Sequence, residues 1–368
     1  MIPIYKPYLS KYKESVKNAI DSEWISNHGV YVKLAADELS KIIGAKHVIL
    51  MNNGTSATHC LFLSLKYKYP NINKIYIPNN VFISPWNCGL HEYDEDTFEV
   101  MKLDEKTLNI DTSEKYIKSL DKNSAVMIVH NYGNIINVPR LKRIRPDLIF
   151  IEDNCEGLFG KYEDQYTGSS DSVLASSISF YGNKTLTTGE GGAFLTNNTE
   201  LYKYIKNVYS HGMSNTRYVH NVMGYNYRMT NIAAAFLYDQ LLDYDNIINM
   251  KNKIFYNYLK YLDENISNGK IVLTKEENNT SISRWMFNIM IPSIKFEELE
   301  EYMNEKNIQI RPFFYPISKH KHLVNIKNTH ENEFNRNLPN IGVILPSYPE
   351  LLENDIKYIC LCLNEYLI

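Results

Sequence analysis

Apolar residues along the first two-thirds of the chain come in short unbroken runs separated by longer stretches with helical spacing. "HVILM", "KIYIP", "SAVMIVH" and "DLIFIED" are bounded by polar turn residues, and "TSATHCLFLSLKYK" between the first two has a helical pattern. Continuous Val/Ile/Phe runs of strand length are what a parallel strand covered on both faces presents. The interleaved helical segments then serve as the crossovers that parallel pairing demands. Ahead of these runs, "KYKESVKNAI" and "YVKLAADELSKIIG" read as helices, the second stopping at Gly44. The pattern predicts an α/β domain. Beyond about Asp243 the texture changes to a long helical "YDNIINMKNKIFYNYLKYLDEN", a strand-like "SRWMFNIMIP", a helix "KFEELEEYMNEKN" and a strand "IQIRPFF". This tail reads as a smaller α+β domain, so the expected division is 1–243 and 244–368.

The 368 residues suffice for two cores. A net charge of -3 with dispersed Lys and Arg gives no basic stripe, so nucleic acid is not an expected partner. The five cysteines form no paired framework; Cys360 and Cys362 are close but lack a second pair or nearby histidines for zinc. Reduced thiols and no metal are expected. No apolar run approaches membrane-spanning length, and "MIPIYKPYLSKYKESV" has no apolar signal-like centre. The expectation is a soluble, cytoplasmic protein with no membrane partner.

In open α/β sheets ligands bind outside the carboxyl ends of the strands, and three such ends here carry chemistry. After "HVILM" comes "NNGTSA", where Gly54 permits a tight turn and Thr55 and Ser56 offer hydroxyls beside the free N–H groups of a helix start. That arrangement suits a phosphate; a simple helix cap by Thr55 or Ser56 is the plainer alternative. "DLIFIED" ends in Asp153, a carboxylate that needs a cation or donors if buried, or else a cap or salt bridge. His130, at another strand end, reads as a satisfied structural histidine. "SISFYGNKTLTTGEGG" delivers Lys184 into a glycine-rich loop, either as an amine nucleophile or as a solvated loop lysine. A phosphate site, an acid and an amine together are what pyridoxal 5'-phosphate requires.

Seven pieces in order, "SEWIS", "NNGTSATH", "VFISPWN", "HNYG", "IEDNCEGLFGKYED", "SISFYGNKTLTTGEGGAFLTN" and "GYNYRMTNIAAA", resemble the DegT/DnrJ/EryC1/StrS nucleotide-sugar aminotransferases. The resemblance spans nearly the whole chain. It implies fold-type I architecture, a large mixed-sheet α/β domain with a smaller C-terminal α+β domain, and pyridoxal 5'-phosphate as cofactor. Lys184 would hold the cofactor's aldehyde in a Schiff base and later shuttle a proton. Asp153 would pair with the ring nitrogen, and Phe82 would stack on the ring. Gly54, Thr55, Ser56 and Ser179 would surround the phosphate. Glu156 would lie beside the phenolic oxygen, and Asn226 would reach the phosphate of a neighbouring subunit, making a homodimer with shared active sites. Asn183, Arg311 and Tyr315 would face the substrate.

The resemblance further implies a two-stage exchange between L-glutamate/2-oxoglutarate and a nucleotide-linked keto sugar, with pyridoxamine phosphate as the aminated carrier. "FYGNKTLTTGEGG", "GYNYRMTN", "RPFFYP" and Glu156, where many members carry Gln, resemble the members that aminate C4 of a GDP-linked 4-keto-6-deoxyhexose. The alternatives are the same reaction on a UDP- or dTDP-4-keto-6-deoxyglucose, or on a 3-keto sugar. A catalytically silent, cofactor-binding regulatory protein is the alternative of another class. Sister dehydratases of the family carry histidine at the lysine position, so Lys184 argues against them. "PNNVF", Pro78 to Phe82, departs from the Pro-Ser-Phe/Tyr-Thr-Phe of many relatives and leaves the sugar less well specified than the chemistry.

Overall fold

The computed structural model describes residues 1–368. After helices α1 (Glu14–Asp21) and α2 (Val30–Ile43), strand β1 (His47–Met51) leads into helix α3 (Gly54–Lys68). Then follow β2 (Lys74–Pro78), α4 (Ser84–Leu90), β3 (Phe98–Met101), α5 (Glu114–Ser119), β4 (Ser124–Val129), α6 (Val138–Ile144) and β5 (Ile149–Asp153). A two-stranded excursion, β6 (Lys161–Tyr162) and β7 (Gln165–Tyr166), precedes β8 (Ser176–Ser179), β9 (Gly192–Thr196) and α7 (Thr199–Val208). Seven strands form one sheet in the order β1-β9-β8-β5-β4-β2-β3. Neighbours from β8 to β3 run parallel, as the unbroken apolar runs predict. β9 alone is reversed, pairing antiparallel with both β1 and β8, so the sheet is mixed.

Burial explains why the runs are continuous: β4, β8 and β9 are buried at every position. α3 is buried on every face from Ser56 through Leu65, so it lies under other structure rather than at a surface. Gly44 ends α2 in the left-handed conformation that glycine tolerates without cost. α8 (Asn231–Leu242) packs with α1 and α2 over the β1 side of the sheet, and Thr230 caps it by accepting from the Ala233 N–H.

The chain then enters α9 (Tyr244–Tyr261) and the short α10 (Asp263–Ser267). β10 (Thr280–Ser281) joins the β6/β7 ribbon; β11 (Phe287–Met290), β12 (Arg311–Pro312) and β13 (Gly342–Leu345) make a three-stranded antiparallel sheet. Helices α11 (Phe296–Glu305), α12 (Glu333–Ile341) and α13 (Glu353–Tyr366) accompany it, with α9, α11 and α13 sharing its core. The strand expected over "IQIRPFF" is only two residues long, because Ile308 instead bridges to Ile2 at the start of the chain. Conversely, Ile317, Leu323 and Ile326 pack into the core of the large sheet. No helix is long and apolar enough to cross a membrane.

Candidate active site

Strand β9 brings the pieces of the first strand end together. Gly192 is the register partner of Met51 on one side and Ser179 on the other. A Cβ on Gly192 would sit 2.4 Å from the Asn53 carbonyl oxygen, and one on Gly54 would sit 2.7 Å from the Ser179 Cβ. Both glycines are therefore required by close approach, and the approach sets Ser179 directly against the start of α3. Asn53, not Thr55 or Ser56, caps that helix: its side chain accepts from the Ser56 N–H at 2.8 Å. The hydroxyls of Thr55 and Ser56 are thus not consumed by the cap. The N–H groups of Gly54 and Thr55, in the first turn, have no intrahelical partner. Thr55 is exposed at the opening and Ser56 is buried.

Asp153 ends β5 and is buried. Its Oδ1 accepts from the Cys155 N–H at 3.0 Å, while Oδ2 has only a long contact, 3.5 Å, from the Thr58 hydroxyl. Thr58 also meets the Ser177 hydroxyl at 3.0 Å. Burial raises the Asp153 pKa, opposed by the Cys155 N–H, Lys184 and His130. No cation pairs with it directly, and the protein's own donors leave most of the acceptor capacity of Oδ2 unused. His130 lies behind it, fully buried and satisfied on both nitrogens: Nδ1 accepts from the Ile136 N–H at 3.2 Å and Nε2 meets Glu152 at 2.9 Å. The histidine is structural, as its place in the sequence predicts.

Lys184 follows the buried Phe180 and the exposed Tyr181 in the loop after β8. Its Nζ lies 3.6 Å from Glu156 Oε1 and 4.2 Å above the centre of the Trp285 indole. The other carboxylate oxygen of Glu156 accepts from the Tyr132 N–H at 2.8 Å. Tyr132 adopts φ 54°, a left-handed backbone rare for a large side chain, and this turn is what aims the N–H at Glu156. Burial pushes the Glu156 carboxyl up to about 7, against the pull of Lys184 and the Tyr132 N–H. A carboxyl whose folded pKa exceeds its unfolded value contributes stability at low pH that is lost as pH rises through the folded value. Glu156→Gln therefore gains stability relative to the parent between about pH 5 and about pH 8, by about 3 kcal/mol at the upper end. Thermal unfolding of the free protein measures the gap; a gap that narrows as pH rises contradicts the assignment.

The remaining predicted residues form the rim. Phe82 is 55% exposed, its ring 6.1 Å from that of Phe314. Phe314 stacks on Tyr132, which stacks in turn on the buried Phe313. Tyr315 is exposed, and the Arg311 guanidinium lies 5.2 Å over the Tyr5 ring. Asn183 gives its carbonyl to the Trp285 indole N–H at 2.9 Å, and its side-chain oxygen is buried without a partner. Asn226 is exposed; its Oδ1 accepts from Arg228 at 2.9 Å and its carbonyl from the Asn52 side chain at 3.4 Å. The structure thus brings Gly54 to Ser179 and Lys184 to Glu156, with Asp153 close enough to feel the lysine's charge. Thr58, Tyr132, Ser177 and Trp285 are additional residues that the sequence does not single out. Only the left-handed Tyr132-Gly133 pair had a visible signal, its glycine.

A profile of the DegT/DnrJ/EryC1/StrS aminotransferase family matches residues 9–364. The chain belongs to this family. Among characterised proteins it is 32% identical to the GDP-perosamine synthase of Escherichia coli O157:H7 over 99% of this chain and 98% of that protein. It is 28% identical to the GDP-perosamine synthase of Vibrio cholerae over 100% of this chain and 99% of that one. The structure of Helicobacter pylori PseC, an aminotransferase of pseudoaminic acid biosynthesis, superposes with a TM-score of 0.87 at 21% identity, covering 99% of this chain and 98% of that chain. A DegT/DnrJ/EryC1/StrS aminotransferase works with pyridoxal 5'-phosphate, and the donor set fits that group. Asp153 Oδ2 is under-used, the α3 start has free N–H groups beside the hydroxyls of Thr55, Ser56 and Ser179, and one amine, Lys184, is close enough to Asp153 for its charge to act there.

Proposed function

We propose that this aminotransferase moves the amino group of L-glutamate to C4 of a GDP-linked 4-keto-6-deoxyhexose. The observation that carries the reading is the Lys184 amine held between Glu156 and Trp285 at the strand ends that also carry Asp153 and the α3 start. The choice of a GDP-linked sugar rests on the two perosamine synthases, which match this chain end to end.

When bound, pyridoxal phosphate supplies an aldehyde for amine exchange and a ring that withdraws electrons from the substrate carbon. The first turn of α3 and Ser179 bind a phosphate through N–H and hydroxyl donors with the favourable end of the helix dipole. Asp153 would hold a proton on the ring nitrogen through Oδ2. Lys184, once its amine is free, takes a proton from the substrate carbon and returns it one atom away. Glu156, anchored by Tyr132, keeps that amine oriented and is well placed to hydrogen-bond the phenolic oxygen. Phe82 and Phe314 give the cleft an aromatic wall that excludes water and suits a ring stacked against it. Asn183, Arg311 and Tyr315 form the substrate side of the rim.

In this reading residues 1–243 hold the cofactor and residues 244–368 close over it. Asn226 completes the phosphate site of a second copy, in a homodimer located in the cytoplasm. Its exposure beside Met223, 80% exposed, supports a role across an interface. The test is incubation with glutamate and a panel of GDP-, UDP- and dTDP-4-keto-6-deoxyhexoses, followed by mass analysis. The expected result is an amino sugar from the GDP compound at a kcat/KM at least tenfold above the others. Amination of only a UDP or dTDP sugar overturns the substrate assignment while leaving the family chemistry intact.

A further inference from the structure

Lys251 is the one buried lysine of the chain, and no arginine is buried. It stands on α9, and its Nζ donates to two main-chain carbonyls, those of Trp285 and Ser347. Its charge has no carboxylate partner; burial alone acts on it and pulls its pKa down to about 7. Packing by itself would favour an apolar side chain here, because a buried ammonium without a counter-charge costs several kcal/mol.

The two carbonyls explain its presence. Ser347 lies just beyond β13, where its hydroxyl accepts from the Phe287 N–H and donates to the Leu345 carbonyl, each at 2.8 Å. Phe287 and Leu345 are register partners, so Lys251 ties the ends of two adjacent strands to α9. Trp285, just ahead of β11, has two contacts across the cleft: its N–H on the Asn183 carbonyl and its ring beneath the Lys184 amine. A single cavity is lined by Lys184, Lys251, Trp285, Thr187, Gln240 and Ser347. The other cation on its wall is Lys6, and Arg284 adjoins Trp285 in sequence.

We infer that Lys251 is a positioning residue for the Lys184 amine, acting through Trp285: by pinning the Trp285 carbonyl it fixes the indole that supports residues 183 and 184. Without the clamp the indole is free to turn, the Asn183 contact opens and the amine loses its platform. Misplacement of about 1 Å at a reacting group costs up to about a hundredfold in rate. The inference rests on Lys184 being the reactive amine.

The test uses the full chain with 5-fluorotryptophan at its three tryptophans, Trp24, Trp86 and Trp285. In the fluorine spectrum, Lys251→Met shifts or broadens the Trp285 resonance, which is identified by its loss in Trp285→Leu, and leaves the other two unchanged. In the glutamate half-reaction, Lys251→Met and Trp285→Leu each lower the limiting rate about tenfold with KM within about twofold. The double variant falls no more than about twofold below the worse single one, because both changes break the same chain of contacts. An unmoved Trp285 resonance in Lys251→Met, or losses that multiply to about a hundredfold in the double variant, overturns the proposal. Should Lys251→Met prove insoluble, Trp285→Leu, which retains both carbonyls, decides alone: a rate within about twofold of the parent overturns it. If the parent itself does not react with glutamate, the functional reading fails, while the fluorine result still judges the clamp.

Discussion

Lys184→Ala abolishes turnover while leaving the protein folded, with a loss of roughly five orders of magnitude or more in kcat. The size follows from the surroundings. Lys184 is the only amine that faces Glu156, and the other lysine deep in the same cavity, Lys251, spends its donors on carbonyls. No second amine can take over by a small shift. Folding survives because Glu156, pushed up to about 7 even beside the lysine, accepts a proton once the lysine is gone and so avoids standing as a bare buried charge. Borohydride reduction followed by peptide mapping checks the same point chemically: the cofactor stays attached to the peptide containing residue 184 in the parent and to no peptide in the variant. Turnover within about a hundredfold of the parent would sink the assignment of Lys184.

Asp153→Asn is the second large effect, expected to slow the glutamate half-reaction by roughly three orders of magnitude. The substitution is nearly silent structurally. An asparagine oxygen still accepts from the Cys155 N–H, and its amide donates to the Thr58 hydroxyl across the long 3.5 Å contact. What disappears is the negative charge that, in the role proposed for Asp153, would hold a proton on the ring nitrogen; without that proton the ring would withdraw electrons poorly. Stopped-flow absorbance with glutamate measures the step, and a thermal midpoint close to the parent's separates it from unfolding. Near-normal rates would mean that the acid lies elsewhere.

Much of this was readable from the chain, for physical reasons that differ between residues. Strands such as β2 and β4 were legible because burial on both faces favours an almost unbroken apolar run, β4 being the clearest case; β8, equally buried but Ser-Ser-Ile-Ser, gives no such run. Asp153 stood out because a charge at the end of an apolar run demands an explanation, and Lys184 because a hydroxyl- and aromatic-rich segment delivers it into a glycine-rich loop. The reversal of β9 was not legible, since burial on both faces makes a strand look the same in either direction. Trp285 lies 102 positions beyond Asn183, whose carbonyl it holds, and no local pattern reports such a meeting. Thr58 and Ser177 look like ordinary polar residues of a helix and a strand until the fold sets Thr58 against Asp153 and Ser177 against Thr58. Asn53 was overlooked as the cap because Thr55 and Ser56 offer the same chemistry two and three residues later.

The place of β9 between β1 and β8 also bears on the order in which the molecule can assemble. β1 is joined to the sheet only through β9, which lies well over a hundred residues downstream. A nascent chain that has not yet delivered Gly192 can pair β2, β3, β4, β5 and β8, but it has nothing to dock β1 against. Pairing across such a span pays its loop-closure entropy late and slowly. The turn at Gly54 and the hydroxyl of Ser179 therefore meet only when β9 slides between them. Cofactor capture should be among the last events of folding, and the β1 edge, exposed until then, is the surface most in need of protection during synthesis.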